Sequence, residues 1–326
     1  MSRYDGIVLN VQTPGEPFLS AYRRAFFEPF ERETGIRIVH QRGAGESAKA
    51  QREMIATGNY QWDVAITGRA MNLALRDAGE CYLEPLELDA SLIGLLPPES
   101  CDAYFAGDHI YSNVLAFRTD AFEPEQAPKS WRDFWNLSGF PGRRSLRSFP
   151  IDTLEEALLA DGVDPSRLYP LDTARGFAAL ERLRNDVRWW FDADDQVLLL
   201  TEDKADICAI SNLRAVYARE LGAPVGICWN QNIRTLYGWE ILRGNPNADI
   251  ARDFIRFALD ARRQAERSKY VAVSPAMPTA AQYLSAERLL DLPDAYRSQA
   301  IDYDAIYWSR ERPALERVFT SWLGQA

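Results

Sequence analysis

The regular alternation of short apolar runs with helix-length segments is the feature that most constrains this fold. Apolar runs at Ile207–Ile210 and Val225–Trp229 lie on either side of a predicted helix, Arg214–Leu221. A further run, Leu236–Leu242, follows a polar turn and ends at the break Gly-Asn-Pro-Asn. Short apolar runs that are bounded by turn residues and separated by helices are typical of strands in an α/β sheet. The pattern therefore predicts a sheet with flanking helices.

The N-terminal part of the chain has the same rhythm. A helix is predicted over Leu19–Thr34, with Gly35 ending it. The predicted strands around it are Ile7–Val11, Ile36–His40 and Asp63–Thr67. A β-α-β-α-β order indicates right-handed crossovers and a mostly parallel sheet. Gly43 and Gly45 do not complete G-x-G-x-x-G, so no dinucleotide site is predicted.

The sequence changes character after the predicted strand Tyr111–Phe117. Residues 120–129 are polar and contain two prolines, which is typical of a linker. More α/β sequence follows, with predicted helices at Trp131–Leu137, Thr153–Ala160, Thr173–Val187 and Ala248–Ala265. We therefore expect two α/β domains.

Composition excludes several classes of partner. The chain has 326 residues and a formal net charge of −10, so nucleic acid and anionic lipid are not expected partners. It has no apolar run long enough to cross a membrane. The N-terminus, MSRYDGIVLN, lacks the charged and then apolar pattern of a signal peptide.

The cysteines and histidines of the sequence predict neither a metal site nor a catalytic site. The four cysteines show no C-x-x-C spacing and there are two histidines, so no metal site is expected. Cys81 and Cys101 allow either a disulfide or two buried thiols, and both alternatives stay open. Cys208 and Cys228 lie in apolar runs, which favours buried thiols. No catalytic motif of a hydrolase, metalloprotease or P-loop enzyme occurs in the sequence.

Polar residues follow two of the predicted strands directly. Ser211, Asn212 and Arg214 come after the first run, and Asn230–Asn232 come after the second. In open α/β sheets, ligands bind where the strands end. The loop that carries Arg214 is therefore a candidate binding site.

Several long segments resemble a known family. They are AFFEPFERETGIRIV, WDVAIT, SWRDFWN, TLEEALLADGVDPSRLYPLD and the WN…GNPNADIARDFIRFA stretch. These resemble the spermidine/putrescine-type solute-binding proteins of bacterial ABC importers. They are most similar to the branch whose members take up γ-aminobutyrate or opines. The resemblance covers nearly the whole chain.

The resemblance implies a type II periplasmic-binding-protein fold, with two lobes that close on a solute in a cleft between them. Each lobe would hold a mostly parallel sheet flanked by helices. Lobe 1 would be 1–116 plus 243–300, and lobe 2 would be 117–242 plus 301–326. The resemblance further implies a periplasmic monomer whose signal peptide has been removed. Its partners would be a small solute and an inner-membrane ABC permease, with no cofactor and no enzymatic activity.

Three departures from the polyamine-binding pattern bear on the solute. Ser211-Asn212-Leu213-Arg214 resembles the family's Trp-Asn-Gly-Arg, with the aromatic residue lost and the arginine kept. Tyr237 stands where relatives have an ammonium-binding aspartate, and Arg69 stands where polyamine binders have a tyrosine. Because a guanidinium grips a carboxylate bidentately, these changes favour a solute that carries a carboxylate, zwitterions such as γ-aminobutyrate or opines included.

Two alternatives remain open from the sequence. A polyamine could be held by Asp152, Glu16 and Glu46, or the same scaffold could carry an enzyme. Each candidate residue also has a purely structural explanation: Asp152 could cap a helix, Arg214 and Arg69 could be solvated or surface-paired, and the aromatic residues could be core. The predicted solute-contacting residues are Thr13, Glu16, Glu46, Arg69, Tyr111, Asp152, Ser211, Arg214, Trp229, Tyr237, Tyr270 and Ser274.

Overall fold

The computed structural model describes residues 6–42, 48–192 and 195–324. Its strands are β1 (Val8–Thr13), β2 (Arg37–Arg42), β3 (Val64–Gly68), β4 (Cys101–Asp102), β5 (Phe105–Arg118), β6 (Arg144–Arg147), β7 (Val187–Trp190), β8 (Ile207–Ser211), β9 (Val225–Glu240), β10 (Ser274–Pro275) and β11 (Ala300–Asp302). Its helices are α1 (Phe18–Tyr22), α2 (Glu28–Thr34), α3 (Ala48–Thr57), α4 (Arg69–Arg76), α5 (Ala90–Ile93), α6 (Trp131–Trp135), α7 (Pro150–Ala160), α8 (Thr173–Glu181), α9 (Asp195–Thr201), α10 (Asn212–Glu220), α11 (Ala248–Ala258), α12 (Ala261–Tyr270), α13 (Ala286–Leu289) and α14 (Ala305–Leu323).

The chain divides into two compact units. Unit 1 comprises Met1–Ile110 and Leu236–Leu290, and unit 2 comprises Tyr111–Thr235 and Asp291–Ala326. The long strands β5 and β9 each contribute residues to both units. In the structure the chain passes from one unit to the other after residues 110, 235 and 290. The lobe boundaries expected from the sequence lie somewhat later, after residues 116, 242 and 300, and they stay a prediction.

Unit 1 is built on parallel strands, as the sequence predicts, and the structure shows their order to be β2-β1-β3. The end of β9 pairs antiparallel with β3, and the start of β5 pairs with β4 and β10. The predicted buried side of the first helix is confirmed, because Phe26, Phe27 and Phe30 are at most 3% exposed. Phe26 meets Trp239 edge-on at 6.2 Å, so this face packs on the sheet. Gly35 ends α2 with φ 78°, the left-handed conformation that favours glycine.

In unit 2, β8, β6 and β7 run parallel, and the end of β5 runs antiparallel to β8. Its core includes Val114 on β5 and Ile210 on β8, which are at most 1% exposed. The mostly parallel α/β class predicted for each part of the chain is therefore confirmed in both units.

Five predicted elements were wrong in extent. The runs at Val225–Trp229 and Leu236–Leu242 are not separated by a turn, because the polar residues between them continue the ladder of one sixteen-residue strand, β9. The helix predicted over Thr173–Val187 ends at Glu181, and Val187 begins strand β7. The helix predicted over Ala248–Ala265 breaks where the Asp260 side chain caps α12. Helix α10 begins at Asn212, inside the predicted loop.

The four cysteines are free thiols, and Cys81 and Cys101 are half-buried, so neither the disulfide nor the pair of buried thiols that the sequence left open is found. The thiol of Cys81 lies 3.7 Å from the carbonyl oxygen of Leu83, and that of Cys101 lies 3.9 Å from that of Asp102. Cys208 is buried as predicted, but Cys228 is half-buried because one face of its strand is partly open.

We predict that protein unfolded without reductant takes up alkylating reagent at four cysteines. In the folded protein Cys208 should stay unmodified, because burial raises the pKa of its thiol to about 12 and the thiolate is the reactive form. Intact-mass spectrometry before and after unfolding measures both numbers. A mass that corresponds to two modifications after unfolding would contradict the free-thiol assignment.

Candidate functional site

In unit 2, the carboxyl ends of the parallel strands lie at one edge of the sheet. β6 ends at Arg147 and β8 ends at Ser211, and the register pairs Ser145 with Cys208, so the two strands end nearly level. Arg147 also pairs with Trp190, the last residue of β7. This is the edge at which open α/β sheets bind ligands.

Arg147 and Asp152 form an ion pair at this edge. The guanidinium Nη1 lies 3.1 Å from the carboxylate Oδ2, and the Asp152 side chain is 2% exposed. Asp152 has φ 70° and ψ −48°, a backbone conformation that non-glycine residues rarely adopt. Thr153 donates to the carbonyl oxygen of Arg147 at 3.0 Å, so the regular part of α7 starts after Asp152. Neither sequence alternative for Asp152 named this partner.

Two glutamates on α7, Glu155 and Glu156, are fully buried behind Asp152. Burial, with the Asp152 charge, raises the pKa of Glu155 to about 8. Its Oε1 accepts hydrogen bonds from the Tyr169 hydroxyl at 2.7 Å and from the Trp308 indole at 2.6 Å. Burial and the same neighbouring charge raise the pKa of Glu156 well above its ordinary value. Both glutamates are therefore mostly neutral at pH 7.

Arg214 lies on the first turn of α10 and is 8% exposed. The loop position predicted for Arg214 was therefore wrong, because the helix starts at Asn212, and its burial contradicts the alternative of a solvated side chain. The Asn212 side chain accepts from the backbone N–H of Ser112 at 2.9 Å and donates to the carbonyl of Asp291 at 3.2 Å. These contacts fix the start of the helix that carries Arg214.

The other predicted residues of unit 2 are at or near this edge. The backbone N–H and hydroxyl of Ser211 donate to Gln196 Oε1 at 3.0 and 3.2 Å. Tyr111 is half-buried and lies on β5, two residues before Asn113, which pairs with Ser211 on β8. Trp229 stacks on Tyr296, with ring centroids 4.3 Å apart. That contact is internal packing, and a solute-facing role for Trp229 stays a prediction.

In unit 1, the parallel strands also end at one edge, and Thr13 and Glu16 lie there. Thr13 is the last residue of β1 and is fully buried. The Glu16 carboxylate accepts from the backbone N–H of Ser20 at 3.2 Å and from its hydroxyl at 2.9 Å. Glu16 therefore binds the first turn of the following helix, and a solute role for either residue stays a prediction.

Arg69 follows β3 and makes several contacts within unit 1. Its Nη2 lies 2.6 Å from Asp102 Oδ2, and its Nη1 donates to Asn72 Oδ1 at 3.0 Å. The guanidinium also lies 4.7 Å from the ring centroid of Phe105. A solute carboxylate at Arg69 would therefore have to share the guanidinium with Asp102.

Tyr237 and His109 stack at the same edge of unit 1. Tyr237 pairs with Gly68, the last residue of β3, and its ring centroid lies 5.5 Å from that of His109 at 23°. Phe18 packs on His109 at 5.1 Å, and the histidine side chain is 2% exposed. This aromatic cluster contains one predicted residue, Tyr237.

A buried charge network holds His109. Its Nδ1 lies 2.8 Å from Asp108 Oδ2, and the same oxygen contacts the Arg267 guanidinium and the Tyr22 hydroxyl. Burial alone would raise the pKa of Asp108, but Arg267 and these hydrogen bonds hold it below its ordinary value. Burial lowers the pKa of His109, against the pull of Asp108. The ion pair therefore stays charged while the imidazole is neutral.

The remaining predicted residues are Ser274, Tyr270 and Glu46. Ser274 is buried and pairs with Ile110 on β5. Tyr270 is 40% exposed, and its hydroxyl donates to Glu266 at 3.0 Å. Glu46 lies outside the described residues.

Sequence reasoning missed Arg147 and His109 as candidate site residues. Arg147 ends a strand directly before a helix, and that position at a strand end was the available signal. His109 was considered only for metal binding and catalysis, and its sequence neighbourhood does not show that Tyr237 packs on it. In the described part of the chain, no three metal-binding side chains cluster. No helix in those same ranges is long and apolar enough to cross a membrane.

Comparisons with protein families, known sequences and solved structures all match this chain to solute-binding proteins. Residues 25–292 match the model of the bacterial extracellular solute-binding protein family. The γ-aminobutyric acid-binding protein of Pseudomonas aeruginosa is 31% identical over 324 residues, 96% of this chain and 90% of that protein. An ABC transporter substrate-binding protein from Bradyrhizobium japonicum is 31% identical, with a TM-score of 0.89 over 97% of this chain and 99% of that one. AgtB of Agrobacterium tumefaciens R10, solved with agropinic acid, is 27% identical, with a TM-score of 0.86 over 98% of this chain and 99% of that one.

We predict that Glu155→Gln changes how stability depends on pH. The folded pKa of about 8 exceeds the ordinary value of 4.5, so the folded protein holds this proton more tightly than the unfolded chain does. Wild-type stability should therefore fall relative to the variant between about pH 4.5 and pH 8, by at most about 1.4 kcal/mol per pH unit. Denaturant unfolding across this range measures the difference.

The control is Glu181→Gln, since Glu181 also accepts from a tryptophan indole, that of Trp322, but is 58% exposed. A difference between Glu155→Gln and wild type that does not change with pH would contradict the buried neutral carboxyl.

Proposed function

Because this chain belongs to the family of bacterial extracellular solute-binding proteins, we propose that it captures a small amino carboxylate for an ABC importer. The solute class is that of γ-aminobutyrate and the opines. The protein would work in the periplasm, hand its solute to an inner-membrane permease, and act as a monomer without a cofactor and without turnover.

The observation that carries this proposal is the charge balance at the strand ends of unit 2. Among the side chains at the ends of β6, β7 and β8 and on the first turns of α7 and α10, the guanidiniums of Arg147 and Arg214 outnumber the one carboxylate, Asp152. Glu155 and Glu156 do not cancel the excess, because their raised pKa values keep them mostly neutral. Away from bulk water, such an excess favours an anionic group more strongly than it would at a surface.

Local structure adds to this preference. Helices α7 and α10 both begin at this edge, so their positive dipole ends and first backbone N–H groups lie there. In the proposal the principal carboxylate ligand is Arg214, which lies buried on the first turn of α10. A fork-shaped guanidinium is suited to bind both oxygens of a carboxylate.

The same charge balance disfavours a polyamine. A dication at this edge would meet two guanidiniums, and its contact with Asp152 would have to compete with Arg147 at 3.1 Å. A zwitterion avoids this conflict, since its carboxylate offsets the arginines. Two relatives, one named for γ-aminobutyric acid and one solved with agropinic acid, support this choice of solute class.

A thermal-shift screen tests the solute class directly. Probes should include γ-aminobutyrate, other amino carboxylates, opines, dicarboxylates, putrescine and spermidine. A ligand that binds only the folded state raises the melting temperature. The proposal expects the largest shift from an amino carboxylate that is recovered unchanged. A larger shift from putrescine would favour the polyamine alternative, and conversion of the probe to product would favour an enzyme.

We predict that Arg214→Ala weakens γ-aminobutyrate binding by about 2–5 kcal/mol, since it leaves a ligand charge buried and unpaired. Arg214→Lys should recover part of this loss, because a point charge cannot reproduce the bidentate fork. Calorimetry measures both affinities. Unfolding curves for each variant are needed beside them, because Arg214 is buried and its loss also affects stability.

Arg219→Ala is the matched control. Arg219 lies on the same helix, but its side chain is 42% exposed and pairs with Asp291. It should lower affinity much less than Arg214→Ala does. Equal affinities for the Arg214→Ala variant and the wild type would show that Arg214 does not hold the carboxylate.

A further inference from the structure

We propose that His109 in unit 1 is a solute-contacting residue whose Nε2 accepts a hydrogen bond from an N–H of the solute's amino group. This inference rests on the proposed function, because it requires a solute with such a group. It assigns a role to a buried histidine that the sequence motifs leave unexplained.

The hydrogen bonds of His109 fix its tautomer. Asp108 is fully buried, pairs with Arg267 and has a lowered pKa, so it is ionised and can only accept hydrogen bonds. The nitrogen 2.8 Å from it, Nδ1, must therefore carry the ring proton. A neutral imidazole with a proton on Nδ1 has its lone pair on Nε2. The buried charge network thus prepares a hydrogen-bond acceptor.

The surroundings of the ring leave that acceptor for a ligand. The Nδ1 side is filled by Asp108 and by the Tyr22 hydroxyl, whose oxygen lies 3.3 Å away. Phe18 and Tyr237 pack against the ring. Within the described ranges of the chain, Nε2 has no hydrogen-bond partner, although the side chain is 2% exposed.

The position of His109 in unit 1 is that of a binding residue. Its stacking partner, Tyr237, pairs with Gly68 at the carboxyl end of β3. On β5, His109 pairs with Pro275, next to the predicted solute contact Ser274. Ligands of open α/β sheets bind at such strand ends.

The chemistry of this acceptor selects the amino end of the solute. A carboxylate oxygen has no proton to donate. It therefore cannot form a hydrogen bond to Nε2, which is also an acceptor. An ammonium N–H would donate to Nε2, and the Asp108 carboxylate behind the ring strengthens the acceptor. Arg267 offsets the Asp108 charge, which keeps the ring from taking a second proton. Asp108 and Arg267 are therefore positioning residues for His109.

Two substitutions separate a solute contact from a structural role. An asparagine amide reaches about as far as Nδ1, so His109→Asn can keep the contact with Asp108 but has no acceptor at the Nε2 position. A glutamine amide reaches about as far as Nε2, so His109→Gln can keep that acceptor. We expect His109→Asn to weaken γ-aminobutyrate binding by about 10- to 100-fold and His109→Gln to recover most of the loss. A purely structural role through Asp108 gives the opposite order.

Nitrogen NMR on the wild-type protein reports the contact without any variant. The chain has two histidines, so His40→Gln identifies the His109 signals. Adding γ-aminobutyrate should shift the Nε2 resonance toward the hydrogen-bonded range and leave Nδ1 protonated. Butyrate, which has the carboxylate but no amino group, should leave Nε2 nearly unchanged.

The outcomes distinguish this inference from the proposed function. If the wild type binds neither γ-aminobutyrate nor any other amino carboxylate, the proposed function fails and the inference fails with it. If γ-aminobutyrate binds but Nε2 does not shift, or His109→Asn binds at least as tightly as His109→Gln, the inference alone is overturned. A shift of Nε2 together with tighter binding by the glutamine variant supports it.

Discussion

Parallel packing of β-α units is the constraint on which the rest of the structure depends. Each parallel strand is followed by a helix that returns across the sheet, so the strands of a unit finish at one edge. In unit 1 that edge carries Thr13 and Gly68, and in unit 2 it carries Arg147 and Ser211. Within each unit, backbone pairing brings residues that are distant in sequence together at that edge.

Buried polar contacts hold these edges in place. In unit 2, Asn212 bonds to the backbone of both Ser112 and Asp291, so the start of α10 is fixed by groups from separate parts of the chain. In unit 1, Asp108 and Arg267 form a fully buried ion pair under His109. Removing one partner from such a site leaves an unpaired polar group in a dry interior, which costs more than the bond itself contributes.

Burial also decides which charges remain at the candidate site. The same desolvation that keeps Glu155 and Glu156 mostly neutral leaves arginine charged, because the guanidinium has a far higher intrinsic pKa. An acidic chain, with a net charge of −10, therefore still places two guanidiniums, those of Arg147 and Arg214, at the strand ends of unit 2. Net charge describes the protein surface, whereas a solute responds to the groups at the strand ends.

The sequence by itself determined the α/β class, most strands and helices, the family and the position of Arg214 after a strand, because periodicity and long motifs are local signals. Tertiary structure alone decided that β9 is continuous, that Arg69 pairs with Asp102, and that His109 stacks on Tyr237. These contacts join residues far apart in the chain, and local pattern does not record which strand will lie beside which. The solute-contacting roles predicted from sequence depend on such contacts, so the sequence could name candidates but not their partners.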